Sequence, residues 1–266
     1  MEGDISKSIL ITGYASGLGK ELALQYIANG CSLLLLDVQS DNAFQEALRA
    51  RASMQQKIQF LQVDICEPTT LKQQIDFAVR KFGVLDLCVH CAGILISKPF
   101  THISHSEFEQ ILQVNIMGTR NIVSAVIPHL TTRGQIGLIA SMAGLTGVFG
   151  YSAYSASKFA VVGMAKSLQL ELRQLGIDVS LICPPSVDTP MVEKEALKIH
   201  PATKALKDMA GTLKTEEAVA QIIAGLAKRK ALVIPGTRAK FIYYSERFLP
   251  SALIRAIGQK LVGKHA

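Results

Sequence analysis

Short apolar runs alternate with amphipathic stretches along most of the 266-residue chain. The runs are almost continuously apolar, as in strands of a parallel sheet that is covered on both faces. The predicted strands are Ser8–Thr12, Ser32–Asp37, Ile58–Val63, Leu85–Cys91, Gln135–Ala140, Asp178–Ile182 and Ala231–Ile234. The predicted helices are Leu18–Ala28, Asp41–Met54, Thr69–Phe82, Ser106–His129, Tyr151–Leu175 and Thr215–Lys228. This alternation predicts an α/β fold with a doubly wound, seven-stranded parallel sheet.

The composition supports a folded domain. Hydrophobic residues make up 49% of the chain, charged residues 18%, and the mean hydropathy is +0.28, which excludes a disordered chain. No apolar run reaches the roughly 18 residues of a membrane span, and no secretory signal is visible. We therefore expect a cytoplasmic protein or one attached peripherally to a membrane. Cys88 and Cys91 form a CxxC pair, but no second cysteine or histidine pair completes a metal site, so none is predicted.

A glycine-rich segment lies between the first predicted strand and the first predicted helix. It reads Thr12-Gly13-Tyr14-Ala15-Ser16-Gly17-Leu18-Gly19. Gly13 permits a tight turn, Gly17 lets a pyrophosphate approach the backbone, and Gly19 lets helix and strand pack closely. The helix N-terminus offers N–H donors to phosphates. The loop, with Ser16 and Leu18, is therefore predicted to bind a dinucleotide.

The ends of the next strands carry further candidate cofactor contacts. Asp37 ends the second strand 18 residues after Gly19, where a carboxylate accepts hydrogen bonds from the adenosine ribose hydroxyls. Its charge repels the additional phosphate of NADP, and no cation lies at residues 14–16 or directly after Asp37. NAD is therefore predicted over NADP, the alternative being an aspartate that only caps a turn. The other predicted contacts are Asp64, Ile65, Ala92 and Gly93.

Four polar residues suggest acid–base chemistry. Tyr154 and Lys158 are four residues apart in a predicted helix and share one face. An ammonium beside a phenol favours the phenolate, so Tyr154 is a candidate for moving a proton to or from a substrate oxygen. Ser141, at the end of the fifth strand, is a candidate for hydrogen-bonding that oxygen. Lys158 is expected to bond the nicotinamide ribose as well, and Asn115 to hold a water that links Lys158 to solvent. Tyr151 is the weaker tyrosine candidate.

Together these motifs resemble the classical short-chain dehydrogenase/reductase family over residues 5 to about 235. The matching positions are Thr12-Gly13-x-x-x-Gly17-x-Gly19, Asn115, Ser141 and Tyr154-x-x-x-Lys158. The resemblance implies a single Rossmann-type domain over residues 1–236, NAD(P)-dependent interconversion of alcohol and ketone, and a homo-oligomer, either dimer or tetramer. The family motif Asn-Asn-Ala-Gly reads His90-Cys91-Ala92-Gly93 here, which predicts weaker hydrogen bonding at positions 90 and 91.

The resemblance also implies a cofactor contact from Cys183–Pro190, after the sixth strand. The implied contacts are Pro184, Val187 and Thr189. Pro185 stands where the family usually has glycine; it fixes φ and removes an N–H, so a stiffer loop is expected. This loop and Phe149–Ala160 resemble 3-ketodihydrosphingosine reductases in particular. Those enzymes are generally NADPH-dependent, and Asp37 departs from that pattern.

The substrate side is expected to lie under a lid at about residues 190–211. Its apolar residues are mixed with lysines and favour a hydrophobic alcohol or ketone, such as a long-chain lipid or a steroid; ordinary packing of a surface helix explains them equally well. The alternatives are a reductase of small ketones or 3-oxoacyl thioesters, and a non-catalytic dinucleotide-binding sensor or scaffold.

Residues 237–266 form a basic amphipathic C-terminal extension. Leu249, Leu253, Ile257 and Leu261 recur every four residues, interspersed with Arg255, Lys260 and Lys264. The chain carries a net charge of +7, and six basic residues against one acid place +5 of it after residue 237. The basicity therefore belongs to the tail, and no nucleic-acid partner is predicted. The tail is expected either to contact a membrane surface or to pack on protein.

Overall fold

A seven-stranded parallel sheet lies at the centre of the computed structural model, which describes residues 7–264. Within these residues the strands are β1 (Ser8–Thr12), β2 (Ser32–Asp37), β3 (Ile58–Gln62), β4 (Leu85–His90), β5 (Leu130–Ile139), β6 (Asp178–Ile182), β7 (Ser186–Val187), β8 (Thr212–Leu213) and β9 (Leu232–Val233). The large sheet has the order β3-β2-β1-β4-β5-β6-β9, and β7 pairs with β8. The predicted fold class is confirmed, although the small β7–β8 sheet was not predicted.

The α-helices within the described residues are α1 (Gly17–Ala28), α2 (Asn42–Arg51), α3 (Pro68–Phe82), α4 (His105–Leu112), α5 (Thr119–Val126), α6 (Ser152–Glu171), α7 (Pro190–Ala196), α8 (Pro201–Ala210), α9 (Thr215–Ala227), α10 (Thr237–Phe248) and α11 (Ser251–Gly263). Several begin at recognisable caps. The Asp41 side chain accepts the Phe44 N–H at the start of α2, and Ser104 and Glu107 form a capping box at α4.

Helices cover both faces of the sheet, because successive side chains of a strand point in opposite directions. In β2, Leu34 and Leu36 join the core on the side of α3, α5 and α6. Leu33 and Leu35 join the core on the side of α1, α2 and α9. All four leucines are completely buried, which explains why β2 shows no alternation of apolar and polar residues.

The strand order reverses between β1 and β4, which are neighbours in the sheet. In an open parallel sheet, ligands bind in the crevice outside the carboxyl ends of the strands at this reversal. Thr12 ends β1, Asp37 ends β2 and His90 ends β4. The fold therefore brings these residues, far apart in sequence, to one edge of the sheet.

The predicted single helix Ser106–His129 was wrong. A π-helical turn, Gln113–Gly118, separates α4 from α5. The Thr119 hydroxyl donates to the Asn115 carbonyl oxygen at 2.6 Å, an acceptor that a regular helix would reserve for a backbone N–H four residues later. This competition for the Asn115 carbonyl oxygen accompanies the wider turn.

The predicted lid folds as α7 and α8, which lie against the segment that precedes α6. The Thr203 hydroxyl of α8 donates to the Phe149 carbonyl oxygen at 2.8 Å, and the His200 ring lies 4.7 Å from the Phe149 ring, centre to centre. Contacts with Phe149, three residues before the start of α6, therefore fix the start of α8.

The C-terminal extension folds as two helices, α10 and α11, that are interrupted at Pro250. It packs on the domain: Ala239 is fully buried, and the Thr146 hydroxyl donates to Glu246. The side chains of Arg255 and Ile257, part of the predicted amphipathic pattern, lie outside the described residues. No helix among residues 7–264 is both long enough and apolar enough to cross a bilayer.

Candidate active site

The glycine loop between β1 and α1 depends on close backbone packing. Gly13 has φ +73°, and a Cβ there would lie 2.9 Å from the Ala92 nitrogen. A Cβ at Gly19 would lie 2.1 Å from the Gly13 carbonyl oxygen. Ser16 caps α1 in an extended conformation without a side-chain hydrogen bond. The first N–H groups of α1 are therefore positioned for an anionic ligand such as a pyrophosphate.

Asp37 is directed toward this loop. Its carboxylate accepts the Ala15 N–H at 3.0 Å and the Gln39 N–H at 3.0 Å, so it organises the turn as well as lining the cavity. The nearby cation Lys20 donates to Asp41 at 2.9 Å and does not line the cavity. The turn-capping role and the ribose-binding role predicted for Asp37 are therefore structurally compatible.

Asp64 and Ile65 follow β3 and line the same cavity. The Asp64 carboxylate accepts the Cys66 N–H at 2.8 Å, and Asn121 donates to the Ile65 carbonyl oxygen at 2.9 Å. A Cβ at Gly118 would lie 2.5 Å from the Ile65 side chain. Ile65 is thus held firmly between the sheet edge and the π-helical turn.

His90 was expected to weaken the hydrogen bonding after β4, and the structure shows otherwise. The ring is buried and lies between two hydroxyls, 2.7 Å from Thr12 Oγ1 and 3.0 Å from Thr119 Oγ1. Thr12 Oγ1 accepts the N–H groups of Cys91 and Ala92, both at 3.1 Å. The Thr12 hydroxyl proton is therefore available to His90 Nδ1, and His90 donates its Nε2–H to Thr119 Oγ1.

This chain of hydrogen bonds connects the cofactor loop to the π-helical turn, since Thr119 donates onward to the Asn115 carbonyl oxygen. Burial lowers the pKa of His90 to about 3, so the ring is neutral at pH 7. A neutral ring has one donor and one acceptor nitrogen, which is what the two threonines require. His90 is a positioning residue that sequence reasoning missed, because its partners lie far from it in the sequence.

Asn115 sits in the π-helical turn, and both N–H groups of its side-chain amide are engaged. Its Oδ1 accepts the Ile94 N–H at 2.8 Å, and its Nδ2 donates to the Ile94 carbonyl oxygen at 3.0 Å and to Ser157 Oγ at 3.0 Å. A Cβ at Gly93 would lie 3.1 Å from Oδ1. Asn115 therefore holds the segment after β4 against α6, close to Lys158.

Ser141, Tyr154 and Lys158 all line the cavity. The Lys158 ammonium donates to the Ile139 carbonyl oxygen at 3.0 Å and lies 5.7 Å from the centre of the Tyr154 ring. Burial lowers the pKa of Lys158 to about 8. Burial also raises the pKa of Tyr154 to about 12, partly offset by a hydrogen bond with Ser141. Desolvation therefore opposes the phenolate form that Lys158 was expected to favour, and Tyr154 is a neutral phenol at pH 7.

The loop after β6 closes the cavity on the opposite side. The Met142 N–H donates to the Pro184 carbonyl oxygen at 2.9 Å, and the Thr189 hydroxyl donates to the Val187 carbonyl oxygen at 3.2 Å. A Cβ at Gly17 would lie 3.3 Å from the Thr189 side chain. Thr189 is therefore brought next to the glycine loop, and Pro184 and Val187 line the same cavity.

One continuous cavity of about 1500 Å³ joins the glycine loop to the lid and the tail. Its inner part is lined by predicted cofactor residues, among them Asp37 and Lys158, and Gly13, Gly17 and Gly19 of the loop bring only backbone atoms to this wall. Its outer part also contains Glu195 and Lys207, which the sequence reasoning did not single out as site residues.

Residues 7–199 match the family model described as short chain dehydrogenase. The chain belongs to the short chain dehydrogenase family. Bovine (Bos taurus) 3-ketodihydrosphingosine reductase is 31% identical over 221 residues, covering 81% of this chain and 67% of that protein. A Thermotoga maritima 3-oxoacyl-[acyl-carrier-protein] reductase is 28% identical over 232 residues, covering 86% and 94%. The chain is therefore an oxidoreductase that acts on alcohol and keto groups.

Solved structures share the fold. A short chain dehydrogenase from Mycobacterium paratuberculosis bound to NAD superposes with a TM-score of 0.79 at 24% identity, covering 89% of this chain and 98% of that one. ElxO with NADP bound gives 0.75 at 23% identity, covering 87% and 97%. These superpositions show a shared fold, and membership of the short chain dehydrogenase family supports a nicotinamide dinucleotide cofactor.

The buried neutral His90 generates a prediction about acid stability. Its pKa is about 3 in the folded state and about 6.5 in an unfolded chain. The unfolded state therefore binds one more proton as the pH falls below about 6.5, and stability is lost toward pH 3 with a slope of at most about 1.4 kcal/mol per pH unit. His90→Asn should remove this contribution, measured as a shallower dependence of the unfolding free energy on pH.

The matched control is His102→Asn at an exposed position, which should keep the wild-type pH dependence. Urea titrations between pH 7 and pH 4 compare the three proteins. The same slope in wild type and His90→Asn would contradict the assignment of a neutral, buried ring.

Proposed function

We propose that this enzyme interconverts a secondary alcohol and a ketone with NAD(H), on a hydrophobic substrate. The observation that carries the proposal is the position of Ser141 and Tyr154 on the wall of a cavity whose outer part is mainly apolar. Apolar residues of that outer part are Leu145, Val148, Met191, Leu206, Ile254 and Leu261. Such a lining favours a ligand with an extensive apolar portion.

Each polar residue of the candidate active site has its own role in the proposed reaction. When bound, a nicotinamide dinucleotide would supply or accept the hydride. Tyr154, as a neutral phenol, donates a proton to the carbonyl oxygen during reduction, and Ser141 donates a hydrogen bond to the same oxygen. Lys158, still mostly protonated at pH 7 because its pKa is about 8, stabilises the tyrosinate that remains. Asn115 holds α6 and the segment after β4 in their relative positions through its hydrogen bonds to Ser157 and Ile94.

A second candidate is the reduction of 3-oxoacyl thioesters. Lys194 and Lys198 of the lid region line the cavity, and cations there would suit the phosphate groups of an acyl carrier. The similarity to the Thermotoga enzyme supports the same reading. Turnover of a long-chain ketone against a 3-oxoacyl thioester separates the two candidates.

The preference for NAD rests on Asp37. Its carboxylate faces the cavity at the end of β2, where the additional phosphate of NADP would be repelled. The cation in this corner, Lys20, is paired with Asp41. Because Lys20 is already paired with Asp41, its charge is less able to offset the charge of the additional phosphate of NADP.

We propose a homo-oligomer that pairs through the outer faces of α4, α5 and α6. Large apolar side chains are exposed on this part of the surface: Met117, in the π-helical turn, and Phe159 and Leu170, on α6. Exposed apolar groups at adjacent helices are typical of protein interfaces. A second copy of the chain would remove them from water, and a tetramer would need a further interface.

We also propose that the tail contacts a membrane surface. Phe241, Tyr244 and Phe248 are exposed on α10 at a spacing that places them on one helix face. Glu246, the acidic residue of α10, accepts a hydrogen bond from the Thr146 hydroxyl. The exposed charged residues of this helix are therefore basic. Exposed aromatic residues beside basic ones are typical of interfacial helices.

Replacing the phenol tests the catalytic role. Tyr154→Phe should reduce kcat at least about 100-fold, the lower range for general acid–base groups, while NADH binding measured by fluorescence stays near wild type. Tyr26→Phe removes a hydroxyl from a buried tyrosine outside the cavity and should leave kcat unchanged. Undiminished turnover by Tyr154→Phe would refute the proposed proton transfer.

Titration with NADH and NADPH tests the cofactor. The wild type should bind NADH at least about tenfold more tightly, because like charges about 4 Å apart repel by about 4 kcal/mol near a protein surface, and about 1.4 kcal/mol already gives a tenfold difference in affinity. Asp37→Ala with Val38→Arg should narrow or reverse the preference. The same valine-to-arginine change at exposed Val84, outside the cavity, should not; tighter NADPH binding by the wild type would overturn the proposal.

Vesicle co-sedimentation tests the tail. The full chain should bind vesicles with anionic lipids, and binding should weaken with salt, since each basic residue near such a surface contributes about 1 kcal/mol. Phe241→Ser with Phe248→Ser should weaken binding, whereas Phe77→Ser, at an exposed phenylalanine of α3, should not. Absence of binding by the wild-type chain would refute membrane contact.

A further inference from the structure

A smaller cavity of about 540 Å³ lies beside the outer part of the main cavity that contains Ser141 and Tyr154. Four residues line both cavities: Gly147 and Val148, between β5 and α6, Leu206 of α8 and Gly258 of α11. The two cavities are therefore contiguous where the segment before α6 meets the lid and the tail. We refer to Gly147, Leu206 and Gly258 as the port, and to the smaller cavity as the side cavity.

The port is bordered by two glycines whose missing side chains leave space. A Cβ on Gly147 or on Gly258 would have no atom of the described residues within 4 Å, and neither glycine has a positive φ. At Gly13 and Gly19, in contrast, a Cβ would be too close to backbone atoms. Gly258 also lies in the interior of α11, where glycine is about 1 kcal/mol less favourable than alanine. Neither close packing nor helix propensity explains Gly258, whereas an opening between the two cavities does.

A single segment of the chain leads from the candidate catalytic residues to the port. It runs from Ser141, just after β5, to Tyr154, in the first turn of α6. Leu145, Gly147 and Val148, in the middle of this segment, line the main cavity. Both ends of the segment lie at the proposed reaction centre, and its middle lies at the port. An apolar chain attached to the reacting carbon therefore has a continuous wall to follow outward.

The tail holds the port in place from two sides. The Thr146 hydroxyl donates to Glu246 of α10, and α11 packs against α8. Ile254 and Leu261 of α11, four residues before Gly258 and three residues after it, line the main cavity. Residues at these spacings share one helix face, so Gly258 lies on the face of α11 that closes the cavity. The port is therefore an opening between packed elements of the fold.

The side cavity is suited to an apolar ligand. Beyond the residues that it shares with the main cavity, it is lined by Phe149, Gln259, Val262 and Gly263. Among the described residues of this lining, Gln259 has a polar side chain and none is charged. The side cavity therefore continues the apolar outer part of the main cavity, and an apolar chain that passes the port remains in contact with apolar surface.

We propose that Gly147, Leu206 and Gly258 are specificity-determining residues that let the apolar chain of a long substrate pass from the main cavity into the side cavity. A short chain ends inside the main cavity, whereas a long chain extends through the port, so the three residues limit the length of chain that is accepted. This assignment rests on the proposed activity toward a hydrophobic alcohol or ketone, and it adds the residues that select among such substrates by chain length.

Steady-state kinetics on straight-chain 2-ketones of increasing length tests the assignment, with each ketone kept below the concentration at which it aggregates. In the wild type, kcat/KM should rise by up to about fourfold for each added methylene, the factor that corresponds to about 0.8 kcal/mol per buried CH₂. Gly258→Leu fills the port. The shortest ketones should keep their wild-type kcat/KM, and the longest should lose at least about tenfold, mainly through KM, as expected when about two methylenes are no longer buried.

Two further variants distinguish the port from a general effect on the tail. Gly147→Leu narrows the port from the opposite wall and should shift the preference toward short chains in the same way. Because the two glycines belong to different elements, a change in α11 alone would not produce both shifts. Ala256→Leu is the matched control, since it places a leucine at an exposed position of α11 outside both cavities. It should keep the wild-type dependence on chain length.

The possible outcomes distinguish the port from the proposed function. A wild-type kcat/KM that is the same for short and long ketones would overturn the port while the alcohol–ketone activity stands. An unchanged dependence on chain length in either glycine variant, or an equal loss at every chain length, would also overturn it. Failure of the wild type with every ketone and alcohol would refute the proposed function itself, and the inference with it.

Discussion

The close approach of two strand ends governs the architecture of this site. β1 and β4 are neighbours at the reversal of the sheet, and the backbone of Ala92 comes so near to Gly13 that a Cβ would not fit between them. The Thr12 hydroxyl then serves as the common acceptor for the first N–H groups after β4, and His90 carries the connection to α5. The glycine loop, the segment after β4 and the π-helical turn thus depend on one another, and a change in any one is transmitted by hydrogen bonds.

Much of this architecture can be inferred from sequence, for identifiable reasons. The strands of a doubly covered sheet must be apolar on both sides, as Leu33 to Leu36 are, so composition alone reveals them. The glycine loop is recognisable because its backbone requirements exclude side chains at fixed spacings. Tyr154 and Lys158 lie one helical turn apart, so their proximity follows from local geometry. Strand ends were less well predicted, since β5 begins at Leu130 and β9 covers only Leu232–Val233.

The features that escaped prediction depend on partners distant in sequence. His90 resembled a defective motif residue until the fold placed it between two threonines, one of them 78 positions away. Glu195 looked like one charge among several in a surface segment, and its burial depends on Tyr151, 44 residues earlier. The raised pKa of Tyr154 likewise depends on how much water the whole site excludes. Local patterns identify which groups are present, whereas burial and long-range pairing decide their ionisation and their partners.

Because of the π-helical turn, the position of Asn115 relative to α5 depends on the number of residues between them. A residue advances an α-helix by about 100°, and a π-turn accommodates one more residue than an α-turn. Deleting a single residue within Gln113–Gly118 would let the helix become regular without removing any apolar side chain from α5. It would nevertheless rotate Asn115 away from Ile94 or turn the buried residues of α5 outward. At positions other than Asn115 and Gly118, this segment should therefore tolerate exchanges of side chain but no change of length, unlike the surface loops of the same domain.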